Sequence, residues 1–366
     1  MILEADVCIV GAGPGGALLG YLLAQNNLSV IVVEQHETYD KEFRGEHLNA
    51  EGEEVLRAFG LYEKVEAEGL LLMDRVEYWH HGKVLKTVRP AVGEKHVGIH
   101  VPQRNLLSVL FRESEKFANH QLMMGTKVTE LIMNESGSVT GIKAKKGDQL
   151  ISIHSSVVIG ADGRFSTVRK LAQIPFATIS HGYDLLWAKI PSPVGWEPTI
   201  RQALVDDKQF ALFTQAGGFV QIGWNIEEGS FPRLRKQSFA PFIDQVTAAF
   251  PELTESVNQH IQSWNDFILL KVHSSKCETW VNDGLALMGD AAHTMSPTGA
   301  FGINAALVDA KVLSEVLVEG FVYGDTSAEQ LKIYELQRRI KVETLQNQQL
   351  VKEANFKEAF AVPVLS

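Results

Sequence analysis

Apolar residues along this chain come in short blocks punctuated by glycine. Asp6-Val7-Cys8-Ile9-Val10 reads as a buried strand. Gly11-Ala12-Gly13-Pro14-Gly15-Gly16 follows, and Ala17 to Ala24 then places Leu18, Leu19, Leu22 and Leu23 at helical spacing. Ser29 to Val33 is a second apolar strand, and it ends in Glu34. Glu51 to Phe59 predicts a helix closed by Gly60. Asn105 to Ala118 predicts another, with Leu106, Leu107, Leu110 and Phe117 on one face. Lys127–Ile132, Val139–Lys145 and Leu150–Ile153 predict a meander turned at Glu135-Ser136-Gly137 and Lys146-Gly147-Asp148. Ser156 to Ile159 and Gly284 to Met288 are further apolar strands, each running into a glycine-containing loop, the second followed by a helix to about Glu319.

Between these blocks the pattern changes. Val76–Trp79 and Lys83–Val88 predict a hairpin around His80-His81-Gly82. Leu185–Ile190, Thr199–Val205, Gln209–Thr214 and Phe219–Ile226 are strand-like and carry Trp187, Phe210, Phe213, Phe219 and Trp224. Arg235 to Phe250 reads as one amphipathic helix ended by Pro251. Ser327 to about Lys357 reads as a long polar helix. A β-rich insert rich in rings suits either an ordinary sheet core or the wall of a flat apolar ligand. Trp187, Phe213 and Trp224 are the pocket candidates.

The opening stretch is strand, glycine turn, helix, strand and acid, the dinucleotide fingerprint in its structural context. Gly11 permits the tight turn, Gly13 lets the backbone approach a pyrophosphate, and Gly16 lets helix and strand pack closely. The helix N-terminus offers unpaired N–H groups and a partial positive charge to phosphates. Glu34 stands where a carboxylate accepts hydrogen bonds from ribose hydroxyls, and an acid there argues against a 2′-phosphate. The motif alone leaves FAD and NAD open. Asp290, after the last apolar strand, lies at the strand edge where ligands meet an open α/β sheet. Arg44, just ahead of a helix, is either a solvated charge or a cofactor contact. Arg104, near another helix start, opposes the helix dipole, so its partner is an anion such as a phosphate or simply solvent.

The bulk numbers narrow the class. The 366 residues are 45% hydrophobic and 21% charged, enough for two domains with cores. The net charge of −10 argues against a nucleic-acid partner. Two cysteines, Cys8 and Cys277, suggest neither a disulfide framework nor a zinc site, and point to a cytoplasmic protein. The chain opens on its first strand, so no signal peptide is expected, and no apolar run reaches membrane-spanning length. Adjacent His80 and His81 point apart on a strand or turn, so no metal is expected.

Gly11 to Gly16 with Glu34, Gly160-Ala161-Asp162-Gly163 with Ser166 and Arg169, and Gly289-Asp290-Ala291-Ala292-His293 with Pro297, Gly299, Gly302 and Asn304 occur in one order. In that order the chain resembles the single-component FAD-dependent aromatic hydroxylases. These are the class A flavoprotein monooxygenases, p-hydroxybenzoate hydroxylase among them. The resemblance implies an α/β fold: a Rossmann-like FAD-binding domain with an inserted β-rich substrate domain. Residues 1–75, 96–176 and 275–325 would form the first, 76–95 and 177–274 the second, and 326–366 a C-terminal helical segment. FAD would be held by Gly11, Gly13, Gly15, Gly16, Glu34, Arg44, Arg104, Asp162, Gly163, Gly289 and Asp290, with Asp290 on the ribityl chain. The loop Pro297, Gly299, Gly302, Ile303 and Asn304 would present backbone N–H groups to the isoalloxazine ring. The chain departs from the family pattern in placing Ala300-Phe301 between Gly299 and Gly302, where a phenylalanine would narrow the space over the flavin.

The resemblance further implies an NADH- or NADPH-dependent monooxygenase that hydroxylates a small aromatic or electron-rich substrate with O2, through a flavin C4a-hydroperoxide. A monomer or homodimer is expected. No side chain stands out as the base that activates a phenol; His181, Tyr183 and Tyr78 are candidates by neighbourhood. A geranylgeranyl-reductase-type enzyme, which often carries a stretch like Arg44-Gly45-Glu46, is one alternative. A flavin halogenase is another, although its signature is only half present in Trp187-Ala188-Lys189-Ile190-Pro191. A non-catalytic escort protein on the same fold is the alternative of a different class.

Overall fold

The computed structural model describes residues 1–39, 45–80, 82–205 and 208–360. They fall into two compact units, each assembled from separate stretches of chain. The first comprises Met1–Glu68, Gln103–Ile179 and Ser274–Gln348. Its eight-stranded sheet runs Val281–Asn282, Leu285–Leu287, Gln149–Gly160, Ile2–Val10, Val30–Val33 and His120–Met123, with Val139–Lys146 and Thr126–Met133 attached beside Gln149–Gly160. The strands around Ile2–Val10 are parallel, and Val7, Cys8, Ile9, Val158 and Ile159 are fully buried. Strands covered on both faces read as continuous apolar runs, which is why Val7–Val10 and Val30–Val33 show no alternation.

Two elements differ from the sequence expectation. Leu150–Ile153 and Ser156–Ile159 belong to one twelve-residue strand, Gln149–Gly160. Its first half pairs antiparallel with Val139–Lys146 and alternates in burial; its last four residues are all buried, as befits a central parallel strand. Of the helix expected over Arg235–Phe250 only Ala240–Ala249 is helical; a separate short helical turn, Phe231–Leu234, precedes the expected start. Pro241 lies in the first turn of the latter, where its missing N–H costs nothing; it could not sit mid-helix.

The second unit comprises Gly69–Pro102, Ser180–His273 and the residues from Gln349 onward. Its seven-stranded sheet runs Ile268–Cys277, Phe176–Pro191, Phe219–Glu227, Lys208–Gln215, Thr199–Val205, Arg75–His80 and Lys83–Val88. Leu186, Phe210 and Trp224 lie in cross-strand register and turn one face into a core shared with Phe242, Val246, Phe250 and Trp264. The helix Ala328–Ala354 is divided between the two units. Its residues through Gln348 belong to the first unit and the remainder to the second. Among the described residues no helix is long and apolar enough to cross a membrane, and no cluster of His, Cys, Asp or Glu is arranged to hold a metal.

Candidate active site

The glycine turn is built by close approach. Gly11 sits at φ +106°, and a Cβ there would lie 2.4 Å from the Ala161 carbonyl oxygen. A Cβ on Gly16 would lie 2.1 Å from the Gly11 carbonyl oxygen. Gly13 is different: nothing stands within 4 Å of where its Cβ would be. Gly13 also starts the helix Pro14–Gln25 with no side-chain cap. Open backbone at an uncapped helix N-terminus fits a pyrophosphate. At the end of Val30–Val33, Glu34 Oε2 accepts from the Ala12 N–H at 3.1 Å and Oε1 from the His36 N–H at 3.0 Å. These bonds hold a largely buried carboxylate beside the turn.

The other two loops meet on the same sheet. The Gly160 strand pairs with the first strand on one side and with Leu285–Leu287 on the other. Arg169 is buried and ties the loops together, donating to the Ala291 carbonyl at 2.6 Å and the Arg164 carbonyl at 2.8 Å. Asp290 is part-exposed, with Arg164 Nε 3.6 Å from its Oδ2. Sequence reasoning missed Arg164 as a neighbour of Asp290; only its place inside the second glycine motif hinted at it. Gly163 and Gly302 each have open space where a Cβ would be. Gly299 at φ +77° and Ala300 at φ +54° carry the left-handed turn that starts the helix Phe301–Tyr323. The Phe301 ring folds back on Gly299, whose Cβ would meet it at 2.9 Å.

Several expected site residues spend their side chains within the protein. Asp162 accepts from Ser166 Oγ at 2.5 Å and from the Thr167 and Val168 N–H groups at 2.6 and 3.1 Å, so it caps the following helix. Burial pushes its carboxyl up despite those donors. Asn304 is buried, donates to the His47 and Ala300 carbonyls and accepts from the Asn49 N–H, which pins the 47–49 stretch to the Pro297–Asn304 loop. Ile303 lies beside Gly45, part-buried. Arg104 is exposed in the first turn of Gln103–Ser114. Arg44 lies outside the described residues.

In the second unit, Trp187 and Phe213 share the sheet face opposite the core. Their rings are 5.9 Å apart at 58°. Trp187 lies across Gly223, where a Cβ would come within 2.7 Å of its ring. Amide side chains edge this face: Gln215 donates to Gln221, and Asn225 donates to Gln209 at 2.9 Å. Trp224 is not with them. Strand alternation turns it to the core, 1% exposed, against Phe210 and Phe267 at 5.5 and 5.4 Å. His181 is engaged with Glu353, to which Tyr183 also donates at 3.0 Å. Tyr78 packs edge-on against Phe360 at 5.8 Å.

A family model described as an FAD binding domain matches residues 4–349. The chain belongs to the FAD-dependent aromatic hydroxylases. Like other members it is an FAD-dependent monooxygenase, and FAD is its cofactor. It is 34% identical over 343 residues to 6-methylpretetramide 4-monooxygenase of Streptomyces rimosus, covering 93% of this chain and 81% of that one. It is 25% identical to digeranylgeranylglycerophospholipid reductase of Methanothrix thermoacetophila, covering 98% and 88%. In fold it is similar to Pseudomonas aeruginosa PqsL in complex with 2-aminobenzoylacetate, with a TM-score of 0.84, 20% identity, and 96% of each chain covered. Glu34→Ala removes the carboxylate that accepts from the Ala12 and His36 N–H groups beside the glycine turn. FAD binding should weaken by about 1.5–3 kcal/mol, read from flavin fluorescence on titrating the apoprotein.

Proposed function

We propose that this enzyme hydroxylates a small aromatic or similarly electron-rich substrate, with NADH or NADPH as reductant and O2 as the source of the oxygen. The observation that carries this reading is the aromatic shelf of Trp187 on Gly223 beside Phe213, in a chain whose other unit carries the flavin cradle. Bound FAD supplies hydride acceptance and activation of O2. The protein supplies orientation. Glu34 and the Gly11–Gly16 turn fix the adenosine and pyrophosphate end, and Asp290 the ribityl chain. The Pro297–Asn304 loop offers backbone donors at a helix N-terminus, where negative charge is stabilised without reorganisation. Trp187 and Phe213 stack a flat ring and exclude water from it. The greater identity to a monooxygenase than to a reductase supports oxygen transfer over double-bond reduction.

Labelled dioxygen tests the reading. The purified enzyme, given NADH or NADPH and a panel of phenols and quinone precursors, should oxidise the nucleotide slowly alone and faster with a substrate. The product should carry one labelled oxygen atom by mass spectrometry. Anaerobic turnover to a product with a saturated double bond would overturn it in favour of the reductase class.

A further inference from the structure

Behind Asp290 stands a buried charged cluster that no cofactor contact explains. Asp309, on the helix Phe301–Tyr323, is fully buried. Its Oδ2 accepts from the Gly289 N–H at 3.0 Å and sits 2.6 Å from His293 Nε2. Its Oδ1 accepts from Arg338 Nε at 2.7 Å. Arg338, itself 6% exposed, comes from the long helix Ala328–Ala354 and also donates to the Ala305 carbonyl at 3.4 Å. One turn earlier Tyr334 donates to the Leu287 carbonyl at 3.3 Å. Burial alone would raise the Asp309 carboxyl, but His293 and Arg338 override it and hold it down at about 2. A carboxyl held down in this way contributes stability above its ordinary value and loses that contribution as pH falls toward about 2.

The cluster reaches only the backbone of the turn. Gly289 adopts φ +56°, a conformation open to glycine, and it immediately precedes Asp290. Its N–H donates to Asp309, and His293 closes the same turn from its far end. A buried carboxylate with two charged or polar side-chain partners is costly to desolvate and gains little net stability over an apolar replacement. What it gives is a fixed direction, since each of its oxygens is committed.

We propose that Asp309 is a positioning residue for the cofactor: clamped by Arg338 and His293, it fixes the Gly289 backbone so that Asp290 faces the ribityl chain of FAD. The long C-terminal helix is thereby part of the cofactor site without touching FAD. This rests on the placement of Asp290 at the ribityl chain. Because Asp309 acts through Asp290, the two residues are coupled in FAD binding.

A double-mutant cycle on apoprotein, read by flavin fluorescence on FAD titration, tests this. Asp290→Ala should weaken binding about 10- to 100-fold, and Asp309→Asn about 10-fold and no more than Asp290→Ala. The double variant should bind no more than about threefold more weakly than the weaker single variant. Wild-type affinity in Asp309→Asn, or losses that multiply in the double variant, would overturn the proposal. So would a lowered melting temperature with unchanged affinity of the folded protein, since that is all a structural ion pair predicts. If Asp309→Asn does not fold, Arg338→Lys replaces it in the cycle. It should weaken FAD binding about three- to tenfold, with that loss absent in the Asp290→Ala background, and additive losses would again overturn the proposal. Failure of the Asp290 placement shows separately, as unchanged affinity in Asp290→Ala alone, and would take this proposal with it.

Discussion

Gly16→Ala should purify without yellow colour. The added Cβ would lie 2.1 Å from the Gly11 carbonyl oxygen and 3.1 Å from the Ala161 Cβ, and neither can yield cheaply. Gly11 is held from its other side, donating its N–H to the Val33 carbonyl at 2.8 Å and facing the Ala161 carbonyl. The turn must open, and the helix N-terminus moves with it. Overpacking of this kind costs about 1–3 kcal/mol, and at the upper end FAD affinity falls roughly a hundredfold. Gly13→Ala separates ligand contact from fold. Its Cβ meets nothing in the protein, so the apoprotein should melt at the wild-type temperature. On the proposed placement of the pyrophosphate at this turn that open space is needed by the ligand, so FAD affinity should still fall about tenfold or more. Flavin content of the purified proteins and apoprotein melting curves give both readings. A Gly16→Ala protein that retains stoichiometric FAD, or a Gly13→Ala protein with wild-type affinity, would contradict the geometry.

What the sequence made legible and what it hid divide along physical lines. Gly11 and Gly16 are readable because only one residue type survives a backbone contact of that kind, so the type itself reports the approach. The position of Glu34 beside the turn, though not a role there, is readable because strand, turn and helix fix its place. Asp162 and Asn304 are not. Both sit in the expected loops, but a short polar side chain can as well cap its own helix or pin a neighbouring segment, and these do. Pattern alone does not say which residues of the Pro297–Asn304 loop carry left-handed backbone. Gly302 has open surroundings, while the left-handed conformations fall on Gly299 and Ala300. Trp224 illustrates register. Candidate rings on neighbouring strands share a face only at one pairing, and a shift of one residue reverses every side chain. The observed pairing of Leu186 with Trp224, and of Trp187 with Gly223, decides the matter. Asp309 and Arg338 lie in helices whose apolar pattern gives no sign that a carboxylate and a guanidinium point inward together.

That register also sets the second large effect. Trp187→Ala should raise the substrate KM and lower the fraction of NADH or NADPH oxidation that ends in product. The indole lies over Gly223 with Phe213 tilted against it, a surface suited to stacking a planar ring. An aromatic pair is worth about 0.5–1.5 kcal/mol beyond its buried area, so KM should rise up to about tenfold from stacking alone. On the proposed function coupling should suffer further, because a substrate ring no longer held on this shelf lets nucleotide oxidation end in hydrogen peroxide instead of product. Gly223→Ala approaches the same surface from beneath. Its Cβ would stand 2.7 Å from the Trp187 ring, so the indole must lift, and KM and peroxide yield should move in the same direction by a smaller amount. Trp224→Phe is the control, since that ring is buried among Phe210 and Phe267 on the other face. It should lower the melting temperature by the loss of core volume while leaving KM and coupling near wild type. Peroxide and product measured per nucleotide oxidised distinguish the cases. If Trp187→Ala keeps wild-type KM and coupling while Trp224→Phe loses them, the ligand does not lie on the Trp187 face.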